Sequence, residues 1–313
     1  MPTAKVLARR VAKWLLSIRT RLTSYDEGVS TVLEHHRAAC DALLERALAS
    51  RSSDSELAKA IHYALLAPGK RLRPALVRLT NQCLGGDLAD ADAPAAAIEM
   101  IHAFSLVHDD LPALDNDDLR RGRPTLHRHT DEATAILAGD AMPMLAMALL
   151  AEAPRGSKMC AVLSEATLRM IEGQMMDMAA EREELPVHKD ALQKLQAGKT
   201  GALMVAAVQL GALSANASKE QTHTLSIWAS HTGELFQLTD DLLDATASTE
   251  TMGKRTGKDA EKFKLTGVRV YGLDGLRDRI QKRCQDALEA LKPLGSAADD
   301  LRKLTDEMAS RRH

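Results

Sequence analysis

An apolar run that ends in carboxylates and is then broken by a proline constrains this chain more than any other feature. From Ile98 to Thr125 it reads IEMIHAFSLVHDDLPALDNDDLRRGRPT. Proline has no N–H and its ring clashes with the preceding turn, so a helix arriving here bends or ends near Pro112. On a straight helix, a residue six positions on points well away from Asp109. A bent end lets Asp115 swing back towards Asp109 and Asp110. Carboxylates converging at the mouth of an apolar segment make a hard, oxygen-rich site suited to Mg²⁺, with phosphate oxygens completing the shell.

A second cluster lies downstream in FQLTDDLLD, from Phe236 to Asp244. Asp240 and Asp244 are four apart and share one helix face, and Asp241 flanks it. Like charges at this spacing repel by roughly 0.2–0.5 kcal/mol per exposed pair. A divalent metal converts that repulsion into coordination. Either cluster alone also reads as a solvated helix end. Two of them, each behind an apolar run and accompanied by Arg and Lys elsewhere, weigh against that reading and point to a divalent metal and an anionic substrate.

The 313 residues are 45% hydrophobic but only 3% aromatic. Ala, Leu and Met dominate, and β-branched or aromatic runs are scarce, so an all-α fold is expected. A formal net charge of -2 gives no reason to expect a nucleic-acid partner. Cys40, Cys83, Cys160 and Cys284 are scattered without metal spacing, as expected of reduced thiols in a cytoplasmic protein. No uninterrupted apolar run approaches 18–20 residues, so no transmembrane helix is expected.

Residues 1–25 form a basic amphipathic extension, with the remainder, 26–313, as one domain. Leu7, Val11, Trp14, Leu15, Ile18 and Leu22 are spaced as a helix stripe, and six cations precede the first acid, Asp26. The segment reads as an extra helix packed on the body, as a membrane-surface helix, or as a targeting peptide. Helices are then expected over 26–50 and 53–66, with Ser53 or Asp54 as the cap between them. Further helices are expected over 76–83, 91–111, 132–151 (capped by Asp131), 157–180, a long stretch from the Ser218 cap to Asp244, 276–291 and 297–310. Pro68-Gly69 breaks the chain before Lys70, Arg71 and Arg73, a basic loop where glycine permits close approach of a ligand. Arg120 and Arg121 offer fork-shaped donors for phosphate. The segment MGKRTGKDAEKFK, from Met252 to Lys264, suits a mobile loop over phosphates.

These elements carry a family resemblance. From about Leu66 to Asp274 the chain resembles the trans-isoprenyl diphosphate synthases, the head-to-tail prenyltransferases that include farnesyl and geranylgeranyl diphosphate synthases. Asp109-Asp110-Leu-Pro-Ala-Leu-Asp115 resembles their first aspartate-rich motif in its longer bacterial form, and Asp240-Asp241-Leu-Leu-Asp244 resembles the second. The resemblance implies a single large helical bundle around a central cavity, a homodimer, and isopentenyl and allylic diphosphates as substrates. It implies that Lys70, Arg73, His102 and Arg121 hold the isopentenyl diphosphate. Arg120, Lys254 and Lys264 close on the allylic one, and Gln237 joins the substrate contacts. Lys199 and Thr200, in a KTGAL element where relatives have a distorted helix, stand beside the reacting carbon. Gly173, Gln174 and Asp177 are second-tier candidates. One departure stands out: Gly267 and Val268 replace the aromatic and proline that follow Lys264 in relatives.

By the same resemblance, metal ions between the aspartate clusters neutralise the leaving diphosphate, the allylic C–O bond breaks, and the isopentenyl double bond attacks the carbocation. No side-chain nucleophile is needed, and the departing diphosphate can take the proton. The tail is expected to run down the helix below Asp109, with Phe104 and Ser105 about one turn deeper. The Phe104 ring as a floor favours a fifteen-carbon product, with twenty carbons as the alternative. A terpene cyclase or a non-catalytic subunit are the rival readings. The basic element at Lys70–Arg73 and the second acid cluster weigh against the first, and the intact acid clusters against the second.

Overall fold

The computed structural model describes residues 31–49, 54–251 and 264–311. The basic segment 1–25 and Lys254 lie outside them. The described residues are all-α save for one two-stranded hairpin. Helix α1 spans Thr31–Ala49 and α2 Glu56–Leu65. The α2 cap is Ser55, not Ser53 or Asp54: its backbone is extended, and its hydroxyl accepts from Ala58 N–H at 3.1 Å. Helix α3, Leu72–Cys83, begins four residues earlier than the sequence suggested. Pro74 falls in its first turn, where no intrahelical N–H is needed.

Helix α4, Asp92–Asp109, delivers the first acid cluster. The hairpin, β1 (Leu119–Arg120) and β2 (Arg123–Pro124), was not foreseen. Its turn residues Arg121 and Gly122 have φ of 53° and 74°, the left-handed pair that matches strand twist in a two-residue hairpin. Helix α5, Glu132–Ala151, starts at Asp131, which caps Thr134 N–H at 2.9 Å. Then come α6 (Gly156–Glu181), α7 (Lys189–Gln196), a π-helical turn (Ala197–Gly201) and α8 (Ala202–Ser214). Helix α9, Lys219–Thr251, carries the second acid cluster and is capped by Ser218, whose hydroxyl accepts from Gln221 N–H at 3.1 Å. Helix α10, Gly267–Ala290, starts nine residues before the expected Leu276 and kinks at Gly272; α11 is Asp299–Ser310.

Helices α4 and α8 form the middle of the bundle. Ala95–Ala97, Ile98, Met100 and Ile101 on α4, and Leu203, Met204, Ala206–Val208 and Leu210 on α8, are all buried. Alanine and glycine on these faces let backbones approach. A Cβ on Gly211 would lie 2.4 Å from the Val77 carbonyl oxygen and 2.7 Å from Thr80 Cβ, so α8 meets α3 only because that atom is missing. Gly139 on α5 likewise makes room for the His108 ring of α4. At the far end, Trp228 is fully buried and donates to Thr305 on α11 at 3.0 Å. Arg279 and Arg283 of α10 grip Glu234 of α9.

Helix α5 has a length and composition that could cross a membrane, with a mean hydropathy of 1.7. The expectation of no such segment rested on the lack of an uninterrupted apolar run, and Asp140 does interrupt this one. One face of α5 packs along α4 through Ala135, Ala138, Gly139, Met142 and Ala146, while Ile136, Leu137 and Met144 are exposed.

Overpacking a tight crossing usually costs about 1–3 kcal/mol. Gly211→Ala is therefore expected to lower the urea midpoint of unfolding clearly. Gly275→Ala, whose nearest neighbour would be Tyr271 Cβ at 3.4 Å, is expected to leave it unchanged or raise it. Equal midpoints for the two variants would contradict this packing.

Candidate active site

The chain reverses at the end of α4 as the proline requires. Asp115 N–H donates to the Asp109 carbonyl at 2.8 Å, and Asn116 N–H to that of Leu111 at 3.1 Å. This folds the acidic loop back so that Asp115 adds its negative field to Asp109. The two adjacent aspartates take different roles. Asp110 is buried in a bidentate pair with Arg120, whose Nε lies 2.8 and 3.0 Å from its two oxygens. Asp109 instead faces a cavity alongside Lys199 and Thr200. Burial raises the Asp109 carboxyl to about 6, against the opposing pull of Lys199.

The π-turn joins this cluster to the second one. A π-bulge widens the helix by a residue and re-aims its side chains. Here it is wedged against α6: a Cβ on Gly173 would lie 2.1 Å from Lys199 N. On one side, Lys199 Nζ sits 2.5 Å from Asp177 and also feels Asp109 and Asp115. Burial works against its charge, but those carboxylates outweigh it and raise its pKa. On the other side, Thr200 donates to Gln237 at 3.0 Å, and the Gln237 amide donates to Asp241 at 3.3 Å.

Asp241 is the most heavily bonded member of the second cluster. It accepts from Gln196 at 3.1 Å and from the Gly267 backbone N–H at 2.7 Å. Burial still raises it to about 6. The departure at Gly267 therefore has a structural consequence: a Cβ there would meet Leu276 at 2.8 Å and Asp241 at 3.2 Å. Asp240 is also raised by burial, and Arg311 lies 3.0 Å from it, with its guanidinium 5.1 Å from the Phe236 ring centre. Asp244 is exposed one turn further on. Lys264 lies 3.8 Å from Glu181, two residues before the Thr266 cap of α10.

The cations gather on the opposite wall. Arg71, in the left-handed region, is spent on structure: it binds Asp41, Glu99 and the Ala67 carbonyl, and so fixes the Pro68-Gly69-Lys70 turn to α1 and α4. Arg121 donates to the Pro68 carbonyl at 2.6 Å, tying the hairpin to the same turn. A Cβ on Gly69 would sit 2.3 Å from that guanidinium. Burial lowers the pKa of Lys70, and the charges of Arg311 and Arg121 lower it further while Asp240 supports it. Arg73 Nε is buried without a hydrogen-bond partner. Burial, then Arg73 and Arg121, hold His102 well below its ordinary range, so it stays neutral. Packing Lys70, Arg73, Arg121 and Arg311 this closely is unfavourable unless an anion joins them.

Two contributors were not singled out from the sequence. Gln196 lies just outside the KTGAL element, and a lone glutamine carries no signal. Arg311 is remote in the chain, and its Nε and Nη1 are buried without partners. Below Asp109 a cavity of about 390 Å³ is lined by Phe104, Ser105, Met170, Gln174 and Met178. The Phe104 ring meets His108 edge-on at 4.9 Å.

The acid clusters fit a hard divalent cation. Asp109, Asp240 and Asp241 are carboxylates that burial makes costly to ionise. Among the described residues no three such groups form a ready cage, as suits an ion that keeps water or phosphate oxygens in its shell.

A carboxyl raised by burial contributes stability when protonated and loses it as pH rises through about 6. Asp109→Asn is thus expected to raise the thermal midpoint of metal-free protein at pH 7.5. That advantage should shrink as pH falls below about 6 and the native carboxyl takes up its proton. A variant less stable than the parent at pH 7.5 would contradict the assigned burial cost.

The polyprenyl synthetase family model matches residues 54–308. Farnesyl diphosphate synthase of Escherichia coli (strain K12) is 42% identical over 257 residues, covering 79% of this chain and 85% of that one. Geranylgeranyl pyrophosphate synthase 9, chloroplastic, of Arabidopsis thaliana is 42% identical over 245 residues, covering 74% and 68%. The crystal structure of an FPP/GFPP synthase from Zymomonas mobilis superposes with a TM-score of 0.76 at 33% identity, covering 90% and 98%. With the motifs, the bundle and these relatives in agreement, the chain belongs to the polyprenyl synthetase family and is one of its short-chain trans-prenyltransferases.

Proposed function

We propose that this enzyme condenses isopentenyl diphosphate head-to-tail with dimethylallyl and geranyl diphosphates to give farnesyl diphosphate, with Mg²⁺ as cofactor. The observation that carries this reading is the crowd of cations at Lys70, Arg73, Arg121 and Arg311. It adjoins Asp240 on one side and, through His102, an apolar cavity headed by Asp109 on the other.

Asp109 and Asp115 on one side, and Asp240, Asp241 and Asp244 on the other, would hold the metal ions, which when bound neutralise the allylic diphosphate. Lys199, kept charged by Asp177, stands next to Asp109, where leaving-group charge develops. Arg120 is held in place by Asp110 at the rim, and Lys254 and Lys264 belong to the segment that follows α9. Lys70, Arg73, Arg121 and neutral His102 bind and orient the isopentenyl diphosphate, and Arg311 adds a donor from the C-terminal end. The π-turn positions Thr200 and Gln237 beside the reacting carbon. The departing diphosphate takes the proton. The enzyme acts as a homodimer in the cytoplasm. The four free cysteines and the exposed apolar stripes of α5 and α6 support this. Peripheral membrane contact through residues 1–25 rests on the sequence pattern of that segment.

Product length rests on Phe104, which lines the tail cavity beside Ser105. Incubating purified protein with isopentenyl and dimethylallyl diphosphates and Mg²⁺, then sizing the products, is expected to show fifteen carbons. Phe104→Ala is expected to shift the products to twenty or more. A twenty-carbon product from the parent, or an unchanged profile in the variant, would contradict the floor. No condensation with any allylic primer would favour a non-catalytic subunit.

A further inference from the structure

Helix α1 turns one side to the core and leaves the other uncovered. Val32, Leu33, Cys40, Leu43 and Leu44 are buried, whereas Glu34, Ala38, Ala42, Glu45 and Ala49 are exposed along the opposite face. At its C-terminal end this face runs into a groove of about 1140 Å³, lined by Leu48 and Ala49 of α1, Leu57 and Ile61 of α2, and Leu145 of α5. Leu57 is 43% exposed at its edge. Contiguous exposed apolar surface marks an interaction site.

The chain supplies an occupant of matching length and charge. Residues 1–30 precede α1, and their apolar stripe runs from Leu7 through Val11, Trp14, Leu15 and Ile18 to Leu22. As a helix that stripe is about 24 Å long, and α1, with 19 residues, is about 28 Å. Residues 23–30 lie between the stripe and Thr31, a length within the usual range for a helix–helix connection. Laid antiparallel, Leu22 comes to Glu34 and Leu7 to Ala49, at the groove. Trp14 and Ile18 then oppose Ala42 and Ala38, large against small. Arg21 falls beside Glu34 and Arg10 beside Glu45. The two arginines are eleven residues apart and so are the two glutamates, so both matches hold in one register.

We propose that residues 7–22 fold as a helix that docks antiparallel on the exposed face of α1 in the same chain, with Leu7 seated in the groove beside Leu57. Docking of this kind is independent of the reaction assigned above. Asp41 of α1 binds Arg71, so a segment held on α1 braces the turn that carries Lys70. Arg9 and Lys13 stay on the outer side, so contact with a lipid surface through this segment would be electrostatic alone.

Trp14 and Trp228 are the two tryptophans of the chain, and Trp228 is fully buried, so Trp14 reports on the segment. Acrylamide quenching of the full-length protein, with Trp14→Phe to subtract Trp228, measures how far Trp14 is shielded. In the parent it is expected to be well shielded. Ala38→Glu and Ala42→Glu are each expected to raise its quenching constant several-fold, with Trp228 still shielded as the sign of a folded body. Glu34→Arg with Glu45→Arg should do the same, and adding Arg10→Glu with Arg21→Glu should restore the shielding. That exchange decides the matter should an alanine variant fail to fold. A Trp14 quenched freely in the parent overturns the docking. So does shielding that persists in every α1 variant, which places the segment elsewhere, or a charge reversal that its counterpart does not rescue. Shielding that appears only with phosphatidylserine vesicles assigns the stripe to a membrane, and shielding lost on dilution assigns it to a second copy. Both results overturn docking within one chain.

Discussion

Carboxylates removed from water at the ends of two helices are the constraint on which the rest of this structure depends. Burial makes Asp109, Asp240 and Asp241 costly to ionise; nearby cations offset only part of that cost for the first two, and hydrogen bonds from Gly267 and Gln237 only part of it for the third. Beside them, Lys70, Arg73, Arg121 and Arg311 crowd together, with Arg311 paired to Asp240 and the buried Arg73 Nε without a hydrogen-bond partner. Each set is frustrated alone. A metal diphosphate, as proposed, would satisfy both: its cations would meet the acids and its phosphate oxygens the bases. Instability stored in this way is common at sites shaped for binding rather than for the stability of the empty protein.

The scaffold maintains that confrontation through close helix approaches. Gly173 lets α6 press on the π-turn, so that Lys199 and Thr200 leave one short segment for different acid clusters. Gly139 admits His108 between α4 and α5, and Gly211 seats α8 on α3. Arg71 spends its whole guanidinium on Asp41, Glu99 and Ala67, which is what leaves the neighbouring Lys70 and Arg73 aimed at the site. Adjacent cations in one loop thus divide into a structural anchor, Arg71, and two groups proposed to bind diphosphate.

Much of this was legible in the sequence, for local reasons. Pro112 required the reversal that returns Asp115 to Asp109, and the Asp131 and Ser218 caps placed α5 and α9. The wrong cap before α2 shows the limit: Ser53, Asp54 and Ser55 are equivalent in composition, and only backbone geometry selects Ser55. Helices α3 and α10 start earlier than the expected Leu76 and Leu276, at positions beside Pro74 and at Gly267 where residue type gives no helix signal. Pro74 falls in a first turn, and Gly267 donates its N–H to Asp241. Long-range partners left no local trace. Nothing near Asp240 announces Arg311, and nothing near Asp110 shows that it would turn to Arg120 while its neighbour faces the cavity.

The most direct measurement is a calorimetric titration of the protein with inorganic pyrophosphate, with and without Mg²⁺. Mutual satisfaction of acids and bases requires strong linkage: each ligand should bind far more tightly in the presence of the other, by the same factor in both orders of addition. Removing the Asp109 and Asp240 carboxylates together should abolish that linkage while leaving weak, metal-independent binding at the cations. Pyrophosphate that binds equally well with metal or without it would contradict a shared site between the two acid clusters.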